Sequence, residues 1–298
     1  MTTFHALVTG ASSPLGLAVG RRLRAEGSRV TGTIRAATNM GLHETFDELI
    51  ALDLTSPASI KAISGNFDAV IHVAALSEGS ISEIMNVTGI ASGLLVQRAV
   101  ELGVPRFVHV SSMSVYGEVT ERWVTSSTPV RHATPYGVAK WFAESALALQ
   151  RKTISGVSVR CPAIVGARSH RHFLANLLIA MIRQSAEVRV SNPEFLSNNL
   201  IHEDTLADFL VELAKSTSSG YVAFPVASCE SLPLSEVVSR MATTTAYRGE
   251  IVWVPSSSKP FSIDLEAALA HGFCPLTMDE TVKKWLSNVV RHPKKRSL

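Results

Sequence analysis

A chain of 298 residues, 46% of them hydrophobic and only 18% charged, carries enough apolar surface for a large packed core and too little charge to stay disordered. A formal net charge of +3 is too weak to draw a nucleic-acid partner, and the basic run Arg291, Lys294, Lys295 and Arg296 reads as a solvated tail. Cys161, Cys229 and Cys274 lie far apart with no metal-type spacing, which suits free thiols in a reducing compartment.

Met1 to His5 carries no basic segment of the secretory kind, and the apolar run that follows leads into a glycine turn. From there, short β-branched runs alternate with longer helical patterns. The runs are Ala6 to Thr9, Val30 to Ile34, Leu49 to Leu52, Ala69 to Val73, Phe107 to Val110 and Val157 to Arg160. Between them, Leu15 to Ala25, Ile81 to Leu102 and Pro135 to Gln150 repeat apolar residues at helical spacing. Strand and helix in alternation predict right-handed crossovers and a doubly wound α/β fold with a parallel sheet.

After Gly166 the pattern changes to a helical stretch from Phe173, short strands near Val188 and Leu200, and a helix from Glu203 to Lys215. The stretch Phe173 to Ile182, interrupted by Asn176, is about half the ~20 residues a membrane span needs. The expected organisation is a dinucleotide-binding part over residues 1–165 and a substrate-binding lobe over 166–298, some of which returns to the sheet. The cytoplasm is the expected compartment.

The first strand ends in Thr9-Gly10-Ala11-Ser12-Ser13-Pro14-Leu15-Gly16. Gly10 permits a tight turn, Gly16 lets a helix pack on the strand, and the free backbone N–H groups at the helix start, in the run Ser12-Ser13-Pro14-Leu15, face a pyrophosphate. Ser13 stands where the three-glycine form of this turn has its middle glycine. Where such sites carry an acid for the ribose 2′-hydroxyl, about twenty residues on, this chain has Arg35. Arg35 either pairs with a 2′-phosphate, favouring NADP with NAD still possible, or lies in solvent.

Tyr136-Gly137-Val138-Ala139-Lys140 sets a phenol and an amine four apart, on one helical face after Pro135. A nearby ammonium lowers the phenol pKa from ~10, which fits Tyr136 for acid and base work near neutrality. Ser112, at the end of the preceding strand, is suited to hydrogen-bond a substrate oxygen.

Taken in order, the glycine turn, Asp53 in Leu52-Asp53-Leu54, Ala74-Ala75, Asn86-Val87-Thr88-Gly89, Ser111 to Gly117 and Tyr136-x-x-x-Lys140 resemble the extended short-chain dehydrogenases, the NAD-dependent epimerase/dehydratase family. The resemblance covers about Ala6 to Leu210. It implies Asp53 and Leu54 near the adenine, Ala74 and Ala75 along the cofactor, Pro162 in the segment after the sixth strand, and Ser112, Tyr136 and Lys140 in catalysis. Lys140 is also implied to touch the nicotinamide ribose.

Ala163 and Asn198 depart from the residues with which sugar-nucleotide epimerases of that family contact the diphosphate. The implied reaction is reduction or epimerisation of a nucleotide sugar or related carbohydrate. A carbonyl reductase for non-sugar ketones and a non-catalytic, cofactor-binding regulatory protein are the other readings. A small-molecule substrate is the expected partner, with neither nucleic acid nor membrane, and the chain is compatible with a homodimer. Metal spacing and a hydrolase nucleophile elbow are both absent from the sequence.

Overall fold

Runs with alternate residues aimed at two helical layers build the central sheet. The computed structural model describes residues 3–35, 42–131, 134–167, 172–255 and 260–291, with residues 290 and 291 described by backbone alone. Of the basic tail, Lys294, Lys295 and Arg296 therefore lie outside the described residues, as does the Arg291 side chain.

In chain order the first half comprises β1 (His5–Thr9), α1 (Pro14–Ala25), β2 (Arg29–Ile34), β3 (Glu48–Ala51), α2 (Pro57–Lys61), β4 (Ala69–His72), α3 (Ile81–Ile84), a π-helix (Met85–Ile90), α4 (Ala91–Glu101) and β5 (Arg106–Ser112). A 3-10 turn (Met113–Tyr116), β6 (Trp123–Val124), α5 (Pro135–Leu149), β7 (Ser155–Cys161) and β8 (Ala163–Val165) follow. The rest is α6 (Phe173–Ile182), β9 (Glu187–Ser191), β10 (Leu196–Ser197), β11 (Leu200–His202), α7 (Glu203–Lys215), β12 (Tyr221–Pro225), β13 (Leu232–Pro233), α8 (Leu234–Thr245), β14 (Glu250–Val254), β15 (Ser262–Ile263), α9 (Glu266–Leu269) and α10 (Met278–Arg291).

The main sheet has seven strands in the order β12-β7-β5-β4-β1-β2-β3, every neighbouring pair parallel. Strand order reverses between β1 and β4, and it is beyond the carboxyl ends at such a switch point that doubly wound sheets open a ligand crevice. One face buries Ala6, Val8, Ile71, Val108 and Val157 under α1 and α7. The other buries Leu7, Val70 and Phe107 under α2, α4 and α5. Burial on both faces explains why these strands are nearly continuous apolar runs.

The helix expected over Ile81 to Leu102 is present but interrupted by the π-turn at Met85–Ile90. Strand β12, which joins β7 at the sheet edge, and α7 both come from the second half of the chain. The remaining elements form a lobe in which β9 pairs with β14 and β8 with β11. Its core collects Leu178, Met181, Val188, Met241, Val282 and Trp285.

Candidate active site

The turn after β1 is held by contacts that only small residues permit. Gly10 has φ +70°, and a Cβ added there would lie 3.0 Å from the Ala74 Cα and N. At Gly16 a Cβ would fall 2.2 Å from the Gly10 carbonyl oxygen. Ser13 takes the N-cap of α1, its hydroxyl accepting the Gly16 N–H at 3.0 Å, and Pro14 follows as the first helical residue. Among the described residues, no acceptor meets the N–H of Ser12 or Leu15, so these two amides at the positive end of the α1 dipole remain for an anion. The turn fits a dinucleotide pyrophosphate, with one amide fewer than a glycine at position 13 would leave.

Across the switch point, the Thr9 hydroxyl oxygen accepts the N–H groups of Val73 (3.1 Å) and Ala74 (3.2 Å) and lies 2.7 Å from His72 Nδ1. His72 Nε2 is 2.8 Å from Ser92 Oγ, which donates to the Thr88 carbonyl at 2.6 Å. Thr88 Oγ1 in turn accepts from the Leu76 N–H and donates to the Leu76 carbonyl, both at 2.8 Å. These bonds fix the segment bearing Ala74 and Ala75 beside the glycine turn. The π-turn supplies the Thr88 groups, a use typical of such bulges near functional sites. Asn86, on the same turn, is exposed and donates to Ser82 Oγ at 3.5 Å.

At the other end of the crevice, Asp53 is exposed, and one carboxylate oxygen accepts the Thr55 N–H (2.8 Å) and hydroxyl (2.7 Å). Those bonds, with the nearby Arg35 guanidinium, hold its carboxyl below the usual range. Ser56, rather than Asp53, caps α2. Leu54 is half-buried against the apolar core. Arg35 stands exposed one residue past β2.

Ser112 closes β5 and caps the 3-10 turn, its hydroxyl accepting the Ser114 N–H and donating to Ser114 Oγ, both at 3.1 Å. Thr134 caps α5, whose first residue is Pro135. Gly137 lets the start of α5 press on the turn: a Cβ there would sit 2.2 Å from the Ser114 carbonyl oxygen. This close approach brings the Tyr136 end of α5 up to the Ser112 turn. Lys140 is 1% exposed, donates to the Val110 carbonyl at 2.6 Å and places Nζ 5.8 Å from the Tyr136 ring centre. Burial brings its pKa down to about 8, against a smaller opposing pull from Cys161 and Glu144. The same burial pushes the Cys161 thiol up to about 12.

One turn beyond Lys140, Glu144 is buried and paired with Arg160 at 2.7 Å. Glu144 also accepts the Ser111 hydroxyl at 2.5 Å, and Arg160 donates to Tyr116 OH at 3.0 Å. Tyr116 passes the chain on to the Thr125 carbonyl at 3.0 Å. This clasp ties β5, the 3-10 turn, α5 and β7 together around the Ser112–Tyr136–Lys140 group. Sequence reading missed Glu144, Gly137 and His72. For Glu144 the available signal was an acid four residues past Lys140 on an otherwise apolar helix face.

On the lobe side, Pro162 and Ala163 are half-buried where β7 passes into β8. Asn198 is buried and spans the backbone of Ile263, with Nδ2 to its carbonyl and Oδ1 from its N–H, both 2.9 Å. Its amide is thus spent on β15. His202 is fully buried; Nδ1 accepts the Asp204 N–H at 3.2 Å, and Nε2 lies 3.1 Å from Asn288. Ser112, Tyr136 and Lys140 gather at the β5–α5 junction, and Thr9 to Gly16 gather with Ala74 at the switch point, while Arg35, Asp53 and Leu54 lie off the β2 and β3 ends.

A family model described as the NAD dependent epimerase/dehydratase family matches residues 6–209. An uncharacterized protein, y4nG of Sinorhizobium fredii, is 24% identical over 277 residues, 91% of this chain and 67% of that protein. A probable UDP-arabinose 4-epimerase 1 of Oryza sativa subsp. japonica is 29% identical over 157 residues, which are 47% of this chain and 37% of that protein. The match thus spans little more than a third of that epimerase. The solved structure of MoeE5 in complex with UDP-glucuronic acid and NAD superposes with a TM-score of 0.81 at 23% identity, covering 96% of this chain and 99% of the other. At that identity the likeness is one of fold.

Proposed function

The chain belongs to the NAD dependent epimerase/dehydratase family, and on that premise we propose that it reduces or epimerises a nucleotide sugar or related carbohydrate by hydride transfer. Residues 1–165 hold the dinucleotide and 166–298 mostly cover the substrate. The observation that carries the reading is the buried Lys140 beside the Tyr136 ring at the strand end where Ser112 stands.

The nicotinamide group, when bound, supplies or accepts the hydride. Tyr136 donates a proton to the substrate oxygen in reduction and removes it in oxidation, and the Lys140 charge keeps the phenolate accessible near neutral pH. Ser112 turns its hydroxyl from Ser114 to the substrate oxygen. Thr9, Gly10, Ser12, Ser13, Pro14, Leu15 and Gly16 line the pyrophosphate, with Ala74, Ala75 and Pro162 along the cofactor and Asp53 and Leu54 towards the adenine. Arg35 is the residue for which we favour NADP over NAD. Free cysteines accord with a cytoplasmic setting.

A carbonyl reductase acting on a non-sugar ketone is the second reading. It is favoured by Ala163 and by the commitment of Asn198 to Ile263. Mass spectrometry of the small molecules that copurify with the native protein tests both: a nucleotide sugar beside the dinucleotide supports the first, a non-sugar carbonyl compound the second. Trp141, Phe142 and Leu149 are exposed on α5, an apolar stripe suited to a homodimer. Light scattering of the purified protein checks it.

A further inference from the structure

The turn that carries Ser112 makes few bonds of its own. Within it the Ser114 N–H donates to the Ser112 hydroxyl at 3.1 Å and the Gly117 N–H to the Ser114 carbonyl at 3.2 Å. Much of its support comes from outside. Val115 and Tyr116, both fully buried, pack in one cluster with Val124 of β6 and with Phe261, the residue before β15. Tyr116 also donates to the Thr125 carbonyl, directly after β6, at 3.0 Å.

Strands β6 and β15 are two residues each, with Trp123 opposite Ser262 and Val124 opposite Ile263, and they pair with no other strand among the described residues. A two-stranded ribbon that short is marginal by itself. In a parallel pair, alternate residues turn their backbone groups away from the partner. Ser262 and Asp264 donate to the Arg122 and Val124 carbonyls at 3.0 and 2.8 Å, so Ile263 between them faces the other way. There Asn198, 4% exposed between β10 and β11, donates to the Ile263 carbonyl and accepts the Ile263 N–H, both at 2.9 Å. One side-chain amide thus continues the ladder as a third strand would.

We infer that Asn198 is a positioning residue for Ser112: it holds β15 on β6, and that strap holds the turn from which the Ser112 hydroxyl reaches the substrate oxygen. The inference rests on the reading of Ser112 as a group that binds that oxygen. Asn198 acts through Ile263, Val124 and Tyr116 and is not itself catalytic. Without its amide, the Ile263 N–H and carbonyl are left buried and unpaired, so β15 shifts towards water and takes Phe261 off the turn. The turn is gripped twice: α5 presses on the Ser114 carbonyl through Gly137, and the strap, brought by the second half of the chain, covers Val115 and Tyr116.

The test follows backbone amide hydrogen exchange by NMR in the full chain. The Ser114 amide, bonded to the Ser112 hydroxyl, reports on that hydroxyl; the Ser262 and Asp264 amides report on the strap, and those of β1 and β4 on the sheet. Asn198→Ala should speed exchange at Ser114, Ser262 and Asp264 at least tenfold and leave β1 and β4 within about twofold of the wild type. Asn198→Asp at pH 5 should bring all three rates back close to those of the wild type at the same pH, because a buried carboxyl keeps its proton and then donates and accepts as the amide does. A loosened strap with an unchanged Ser114 amide overturns the inference. Acceleration shared by β1 and β4, an unchanged strap, or Asn198→Asp exchanging as fast as Asn198→Ala does so equally. Titrating the same samples with NADH and NADPH by fluorescence judges the functional reading separately, since a chain that binds neither sinks that reading and leaves the exchange rates as they are.

Discussion

The Thr9 hydroxyl and His72 Nδ1, 2.7 Å apart and wholly buried, join the ends of β1 and β4 at the point where the strand order reverses. His72→Leu leaves the buried Thr9 hydroxyl proton without an acceptor and takes from Ser92 Oγ the donor it receives, and one such unsatisfied buried group costs about 1 to 3 kcal/mol. Thermal unfolding should register that loss, together with weaker dinucleotide binding as the Ala74 segment loosens. A variant as stable as the wild type would show that the bond is incidental.

Acid should destabilise the protein earlier than its carboxylates alone would. Burial leads the causes holding His72 near 3 and His172 and His202 near 4. Their folded pKa values are depressed, so between about 6.5 and 4.5 the unfolded chain binds protons that the folded one refuses, and stability falls with pH. The carboxylates add most of their loss below about pH 5, at the bottom of that window. Melting temperatures between pH 7 and 4.5 should fall steadily; a flat profile would contradict the buried neutral state of these rings.

Tyr136→Phe should keep dinucleotide affinity and lower turnover at least ~10²-fold, the usual cost of a lost general acid. Lys140→Met should impair both. Steady-state kinetics on the substrate found by mass spectrometry, with fluorescence titration of the cofactor, separates the two; near wild-type turnover in Tyr136→Phe removes it from the mechanism.

Arg35 should set cofactor preference. A charge-assisted contact with the 2′-phosphate is expected to make NADPH bind about tenfold tighter than NADH, and Arg35→Ala should erase most of that difference with NADH binding unchanged. A wild type that prefers NADH points instead to Arg35 lying in solvent.

Glu144→Ala leaves the Arg160 guanidinium buried without its partner, and breaking such a pair costs about 3 to 5 kcal/mol. The melt should show this, and Glu144→Gln, which retains the shape, should lose less. Equal stability of all three proteins would mean that Arg160 finds another acceptor.

The glycine turn and the Tyr136–Lys140 pair were legible because their chemistry is local: a turn needs its glycine in place, and a helix brings residues four apart together. The Glu144–Arg160 clasp was not, since each charge alone looks like an exposed one until α5 lies across β7. The π-turn was hidden because apolar periodicity runs through Ile81–Glu101 with little trace of the altered winding. Gly137 carries no signal of its own, for its necessity comes from the carbonyl of Ser114 on another element. Strand β12 ends in Pro225, which suits an edge, but its partner β7 lies more than fifty residues earlier, a pairing that no local pattern encodes.

That late strand bears on how the protein is made. A ribosome has released β1 through β7 well before it delivers Tyr221–Pro225, and until then β7 presents an unpaired edge. The Val108–Val157 side of the sheet likewise waits for α7. A nascent chain arrested near residue 165 would therefore be a client for chaperones and a target for proteases, and residues 1–165 expressed alone would aggregate.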